Sequence, residues 1–229
     1  AILRTSEWPD RASAGIVYGD TSGHRHRDLL DVQLFAFERP FLTDLGYPQS
    51  WASRPLWEDH WANHNTVWGD LPGVKLPREA GRGRLVRSLF VDGIQIVEVE
   101  AERWVWDADG NRWYRPGVHY RRLIALVDID GEGVALVDLS RVTGGSEHWR
   151  ICRGLEGAFR SGDAGLVSRA GTVADPVGKR GDADRLDHPD HVALAFMDDV
   201  ETCEAPVRWK GFWQSSFEEK VHLDLHQLR

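Results

Sequence analysis

Val97-Glu98-Val99-Glu100-Ala101-Glu102 alternates small apolar and acidic side chains, and in a β-strand successive side chains point to opposite faces. The segment therefore predicts a half-buried strand, with its valines and alanine inward and its glutamates toward water. Upstream, Asp92-Gly93 separates it from the apolar-rich residues 85–91. Asp-Gly supplies the positive φ that a tight hairpin requires, so the two runs predict an antiparallel pair.

The same pattern repeats on either side. Asp109-Gly110 lies between Trp104-Val105-Trp106 and Arg112-Trp113-Tyr114, and Asp130-Gly131-Glu132-Gly133 lies between the apolar runs 119–128 and 134–139. Toward the start, residues 1–5 and 14–18 read as strands around Pro9-Asp10, and Leu30, Val32, Leu34 and Ala36 alternate with Asp31, Gln33 and Phe35. Residues 41–44 return from a turn at Glu38-Arg39-Pro40. Residues 50–63, with Trp51, Trp57 and Trp61, lack clean alternation; they predict a loop with a helical turn that delivers His64 to a strand beginning at Thr66. Residues 147–153 read as a further strand. Residues 161–190, rich in Gly, Asp and Arg, predict a long surface excursion, and 192–197, 207–212 and 221–225 predict closing strands. Many short strands with turn signals and hardly any helix point to an all-β fold, an antiparallel β-sandwich. With no internal repeat and no linker, residues 1–229 read as one domain.

At 229 residues with 41% hydrophobic content, the chain can bury a sizeable core. The net charge of −8 argues against a general nucleic-acid or anionic-membrane binder, while leaving room for a local basic patch. No apolar run is long enough to span a membrane, and no charged-then-apolar signal segment opens the chain at Ala1. The eleven tryptophans suit core filling, and some could stack on sugar rings. Cys152 and Cys203, with no Cys-x-x-Cys spacing, offer neither a disulfide framework nor a cysteine zinc site.

The chemistry-bearing residues gather between Gly23 and Thr66. The segments are Gly23-His24-Arg25-His26-Arg27-Asp28, Asp44-Leu45-Gly46-Tyr47-Pro48 and His64-Asn65-Thr66. In extended backbone His24 and His26 share one face while Arg25 and Arg27 take the other, which suits one metal ligand beside one catalytic group. A His, Asp, His set holds zinc and leaves a fourth position for water or substrate. A hairpin turning at residues 38–40 would pair Asp44 near Leu34, on the order of 25 Å from His26 at strand rise. The segment before Leu30 must therefore fold back for these groups to meet. Asp28 suits either an acceptor that orients His26 or a turn carboxylate, Tyr47 a packing position at a turn rather than a reach to substrate, and Asn65 either a backbone-positioning role near His64 or an ordinary loop position. His119, His148, His188, His191, His222 and His226 fall outside the metal set.

The order of these features resembles the C-terminal domain of heparinase II/III-like polysaccharide lyases. An opening strand ends in Arg4, followed by Gly-His-x-His-x-Asp, an apolar strand, Asp-x-Gly-Tyr and His-Asn-Thr-Val. Arg121-Arg122 before an apolar strand ending at Asp128, and a strand ending at Val137-Asp138, are similar too. The resemblance implies a β-sandwich of supersandwich type that follows an N-terminal α/α toroid, with the active site between the two. It implies that His24 is the active-site histidine and that His26, Asp44 and His64 hold Zn2+. It further implies β-elimination on a uronic-acid-containing polysaccharide such as a glycosaminoglycan or alginate, in a periplasmic or secreted enzyme. The toroid's tyrosine, asparagine and further histidine have no match in this chain, so the domain alone is expected to be inactive. Structural and catalytic roles for the metal both stay open. An acidic domain is an unusual partner for an acidic polymer, unless Arg25, Arg27, Arg54 or the toroid makes the cleft locally basic.

Two other readings use the same residues. A cupin-like metal oxygenase also begins with His-x-His on a β scaffold, although here the acid follows His26 by 18 residues. A non-catalytic carbohydrate-binding β-sandwich would use tryptophans as a platform and zinc as a structural ion.

Overall fold

The valines of the 97–102 alternation are buried, and its glutamates take the opposite face, where Glu100 and Glu102 are half-buried and Glu98 is covered by its partners Arg87 and Arg121. This is seen in a computed structural model of the chain, which describes residues 1–5, 12–19, 26–46, 57–70, 79–107, 112–114, 117–129, 133–154, 156–162, 164–182, 189–204, 208–216 and 222–228. The chain forms two compact units, Ala1–Arg153 and Gly154–Arg229.

In the first unit the strands are β1 (Ile2–Arg4), β2 (Ala12–Ile16), β3 (Val32–Ala36), β4 (Arg39–Leu42), β5 (Val67–Gly69), β6 (Glu79–Val91), β7 (Ile94–Asp107), β8 (Arg112–Tyr114), β9 (His119–Ile129), β10 (Gly133–Thr143) and β11 (His148–Arg150). They form a four-stranded sheet in the order β1-β2-β3-β4 and a five-stranded sheet in the order β10-β9-β7-β6, with β8 beside the end of β7. A two-stranded ribbon pairs β11 with β5. Every pairing is antiparallel. The fold is the all-β sandwich that the alternating strands predict.

One layer of the core comes from Ala12, Ala14 and Ile16 of β2 with Val32, Leu34 and Ala36 of β3, every second residue in each. The other comes from Val97, Val99 and Ala101 of β7 with Tyr120, Ile124 and Leu126 of β9. Arg4 N donates to Gln95 Oε1 at 2.6 Å, tying the first sheet to the second. At Gly83 of β6 a Cβ would lie 2.6 Å from the Tyr18 carbonyl oxygen. Only glycine lets that backbone come so close.

The Asp92-Gly93 turn is present, with Gly93 at φ 75. Residues 108–111 and 130–132 lie outside the described residues, but the strands on either side pair as expected, Asp107 with Arg112 and Ile129 with Gly133. The first hairpin differs. Its turn is Phe37-Glu38, both at positive φ (49 and 61), and Ala36 pairs with Arg39. That is the backbone of a two-residue primed turn made without glycine or asparagine, so the turn lies ahead of the expected Glu38-Arg39-Pro40, and Arg39 and Pro40 belong to β4.

In the second unit the strands are β12 (Gly157–Ser161), β13 (Val167–Arg169), β14 (Val200–Thr202), β15 (Arg208–Ser215) and β16 (His222–Leu228). They form a sheet in the order β12-β15-β16 and a separate β13-β14 pair. The closing strands near 207–212 and 221–225 are therefore present as β15 and β16. Phe159 packs between Trp209 and Trp213, with ring centroids 6.4 and 4.7 Å away. Residues 192–197 are not a strand. A 3-10 helix runs over Pro189–Phe196 and buries Ala193, Leu194 and Ala195 in succession. An apolar run without alternation reads equally as a buried strand or a buried helical turn, and alanine, leucine and an opening proline favour the turn. The 161–190 excursion also holds more structure than its composition suggests, since β13 lies in it and Thr172 is buried. Cys152 and Cys203 are free thiols.

Candidate metal centre

His64 ends a buried 3-10 turn, Trp61–Asn63, whose leading residue His60 accepts from Ala62 N through Nδ1 at 3.1 Å. Trp61 stacks on Trp68 of β5 with centroids 4.4 Å apart and planes 9° from parallel, and Trp149 of β11 closes the cluster at 5.7 Å. Arg103 lies over the Trp68 and Tyr120 rings at 5.3 and 5.7 Å, a cation–π arrangement within the core. Trp61 and Trp68 are fully buried. They anchor the ligand-bearing turn and offer no platform to a sugar.

Asp44 follows β4, where its Oδ1 accepts from Gly46 N at 2.5 Å across a short turn with Gly46 at φ 75. His26 comes from the segment ahead of β3. That segment does fold back: Asp31 N donates to Asp28 O at 2.8 Å, Leu30 sits at φ 62, and Leu30 N reaches Val17 O at 2.7 Å. Arg27 N donates to Asp59 O at 3.0 Å, which joins the His26 segment to the turn before His60.

These three routes bring His26, Asp44 and His64 together, with one ligand atom from each inside a span of 4.8 Å. His64 Nδ1 lies 2.6 Å from Asp44 Oδ2, His26 Nδ1 lies 4.0 Å from Asp44 Oδ1, and the imidazole centroids are 5.4 Å apart. His64 is wholly buried, and its Nε2 has no hydrogen-bond partner among the described residues. Burial pushes the Asp44 carboxyl up, but the His64 hydrogen bond and charge, the Gly46 N–H and His26 outweigh it and hold it below the ordinary carboxylate range. A carboxylate kept ionised between two imidazoles is a donor set of the kind that binds a divalent ion, with a position left for solvent. His24, with Arg25, Tyr47, Arg54 and His188, lies outside the described residues.

The surrounding shell was less visible in the sequence. Asn65 is buried and acts as a junction. Its N–H donates to Asp31 Oδ1 at 2.6 Å, its Nδ2 to Thr43 O at 3.2 Å, and its Oδ1 accepts from Arg153 N at 2.6 Å. Its carbonyl accepts from Val32 N at 3.0 Å and from Arg122 Nη1 at 2.7 Å. Arg122, 2% exposed, also donates to Leu30 O at 2.5 Å and grips Asp138 through Nε at 2.9 Å and Nη2 at 2.5 Å. Thr66 Oγ1 donates to Leu29 O at 2.5 Å. The backbone on both sides of the ligands is thus fixed by buried side chains. Asp28 accepts from Asp31 N through its backbone carbonyl at 2.8 Å, while its carboxyl lies in the field of His64 and His26 and its Oδ1 is buried without a partner among the described residues. Burial raises the Asp28 and Asp31 carboxyls, against the pull of the His64 charge on each. Arg153 donates to Asn63 O at 3.0 Å, and its charge acts on Asp44 and Asp31. No periodic signal marks Asn65, Arg153 or His60.

The family model described as Heparinase II/III-like, C-terminal, matches residues 12–172. No curated protein matches the chain.

Proposed function

The chain belongs to the heparinase II/III-like family through that family's C-terminal domain, and from this premise we propose that it is the metal-binding β domain of a lyase that cleaves uronic-acid-containing polysaccharides by β-elimination. The observation that carries the reading is the convergence of His26, Asp44 and His64 on one point 4.8 Å across. Zinc is an ion that two imidazoles and a carboxylate suit, and bound there it would supply a fixed positive charge for a uronate carboxylate. We assign His24, one alternation from His26, to proton transfer at the sugar ring. Elimination removes the proton on C5 and expels the oxygen on C4, so the cleft must accept one proton and donate another. Arg153 adds positive charge beside Asp44. The second proton-transfer group and the subsites that choose the polymer are assigned to an N-terminal toroid in the full-length protein, whose site of action we place in the periplasm or outside the cell. Residues 1–229 are read as one domain in that arrangement. Among the described residues no helix is long and apolar enough to cross a membrane.

Elemental analysis of protein purified without added metal tests the centre. About one equivalent of zinc is expected, and His64→Ala should lose it. In the full-length enzyme His24→Ala should keep its metal and lose turnover by roughly two to four orders of magnitude, read as unsaturated-product absorbance. His26→Ala should lose metal first. Metal retained by His64→Ala, or near-normal elimination by His24→Ala, would overturn the assignment.

A further inference from the structure

Adjacent arginines on β9 face opposite ways. Arg122 points into the sandwich toward Leu30 and Asn65, whereas Arg121 lies on the outer face of the five-stranded sheet. On that outer face the register aligns Arg84, Glu100, Arg121 and Arg141 across β6, β7, β9 and β10, and beside them Arg82, Glu102, His119 and Thr143. At strand spacing each row spans on the order of 14 Å. The rows line a shallow depression of ≈ 690 Å³, with Trp104 also in its lining.

The charges in this depression are not balanced. Arg84 meets Glu100 at 2.6 Å, Arg121 is held by Glu98, and His119 lies 3.7 Å from Glu102. Arg82 and Arg141 have no acidic partner among the described residues, and Arg141 stands directly across the strand pair from Arg121. Like charges directly opposed in a sheet destabilise it. In a chain of net charge −8, two exposed arginines with no acidic partner among the described residues, one of them directly opposite a third arginine, make a place for an anion from outside. Guanidinium forks suit carboxylate and sulfate groups, the glutamates can accept hydroxyl hydrogens, and an indole face suits a sugar ring. One tryptophan is too few for a row of stacked bases.

We propose that this depression is a second binding site for an acidic polysaccharide, which holds the polymer on the face of the sheet turned away from the metal centre. Naming the anion as a uronate polymer rests on the lyase reading. Binding of alginate, heparin, neutral dextran and a DNA duplex to the 229-residue chain, measured by titration calorimetry at two salt concentrations, tests it. Alginate and heparin should bind with salt-sensitive affinity and neutral dextran should not. The double variant Arg82→Ala/Arg141→Ala should bind on the order of tenfold more weakly, with its unfolding midpoint kept because both side chains are exposed. His64→Ala should bind as the wild type does. Binding blind to the two arginines, binding lost in His64→Ala, or a DNA duplex held as tightly as alginate would overturn the proposal. If the full-length protein eliminates no uronate polymer while the arginines still govern binding, the lyase reading falls and this site stands; elimination with binding indifferent to the arginines removes this site alone.

Discussion

Replacing Arg122 with methionine should destabilise the first unit by about 4 kcal/mol. The guanidinium is 2% exposed and makes its donations to Asp138 from two nitrogens. Removing one partner of such a pair strands the other charge, at a cost of roughly 3–5 kcal/mol. Asp138 would keep Arg150 at 2.8 Å and Ser140 at 3.2 Å, which places its share near the bottom of that range, about 3 kcal/mol. Asn65 O keeps Val32 N, so the carbonyl left bare is Leu30 O, at a cost of about 1 kcal/mol. Spread over a unit of this size the loss lowers the thermal midpoint by on the order of 10 °C. Urea unfolding is the assay, read as a lower midpoint at unchanged slope. Arg122 also holds the carbonyls of the segments that carry His26 and His64, so on the proposed metal-centre reading zinc affinity should fall about tenfold or more. Arg122→Met/Asp138→Leu should recover much of the stability, because neither charge is then stranded. A single variant within about 1 kcal/mol of wild type, or a double variant no better than the single, would refute the assignment of Arg122 as the brace beneath the metal loops.

Asp70 accepts from Ser146 N and Oγ at 2.5 Å and from Glu147 N at 2.8 Å. Burial raises its carboxyl, but these donors and His148 outweigh it, so its folded value lies below the ordinary 3.8; the stability it contributes is complete above that value and is lost as pH falls through the folded one. Asp70→Asn should flatten the acid limb of a stability–pH profile below about pH 4 and leave the neutral side parallel to wild type. Gly83→Ala would place a Cβ 2.6 Å from Tyr18 O and 2.9 Å from Glu100 O, and a loss of about 1–3 kcal/mol in urea unfolding is expected. Phe37→Asn/Glu38→Gly should stabilise the first hairpin by about 1 kcal/mol, since both positions hold positive φ and asparagine and glycine adopt it at lower cost.

The five-stranded sheet was legible because β7 is wet on one face and buried on the other, so the period of two appears in its composition. The convergence of His26, Asp44 and His64 was legible by a different route, as an ordered series of short motifs, since they lie 18 and 20 residues apart and no local rule links them. What the sequence hid follows from the physics. An arginine on a strand reads as solvent-facing, so nothing distinguishes Arg122 from Arg121 until the register assigns one to each face. The turn at Phe37-Glu38 lacks the residues that normally carry positive φ, and its backbone is imposed by the pairing of β3 with β4. The run at 192–197 is apolar without alternation, which fits a strand and a buried turn equally, and burial of three successive residues decides for the turn. The β5-β11 ribbon joins segments about 80 residues apart, beyond the reach of any window.

All three ligands sit on irregular backbone, which by itself is the least rigid part of a β fold. Here that backbone has little freedom. The His64 turn is pinned by the Trp61–Trp68 stack, the strand it enters by Asn65 and Thr66, and the His26 segment by Leu30 N, Arg27 N and the guanidinium of Arg122. These contacts come from side chains and peptide groups of the chain itself, and they restrain the backbone on which His26, Asp44 and His64 are carried. Restrained donors have less conformational freedom to lose when a charge is bound between them than donors on mobile loops would have.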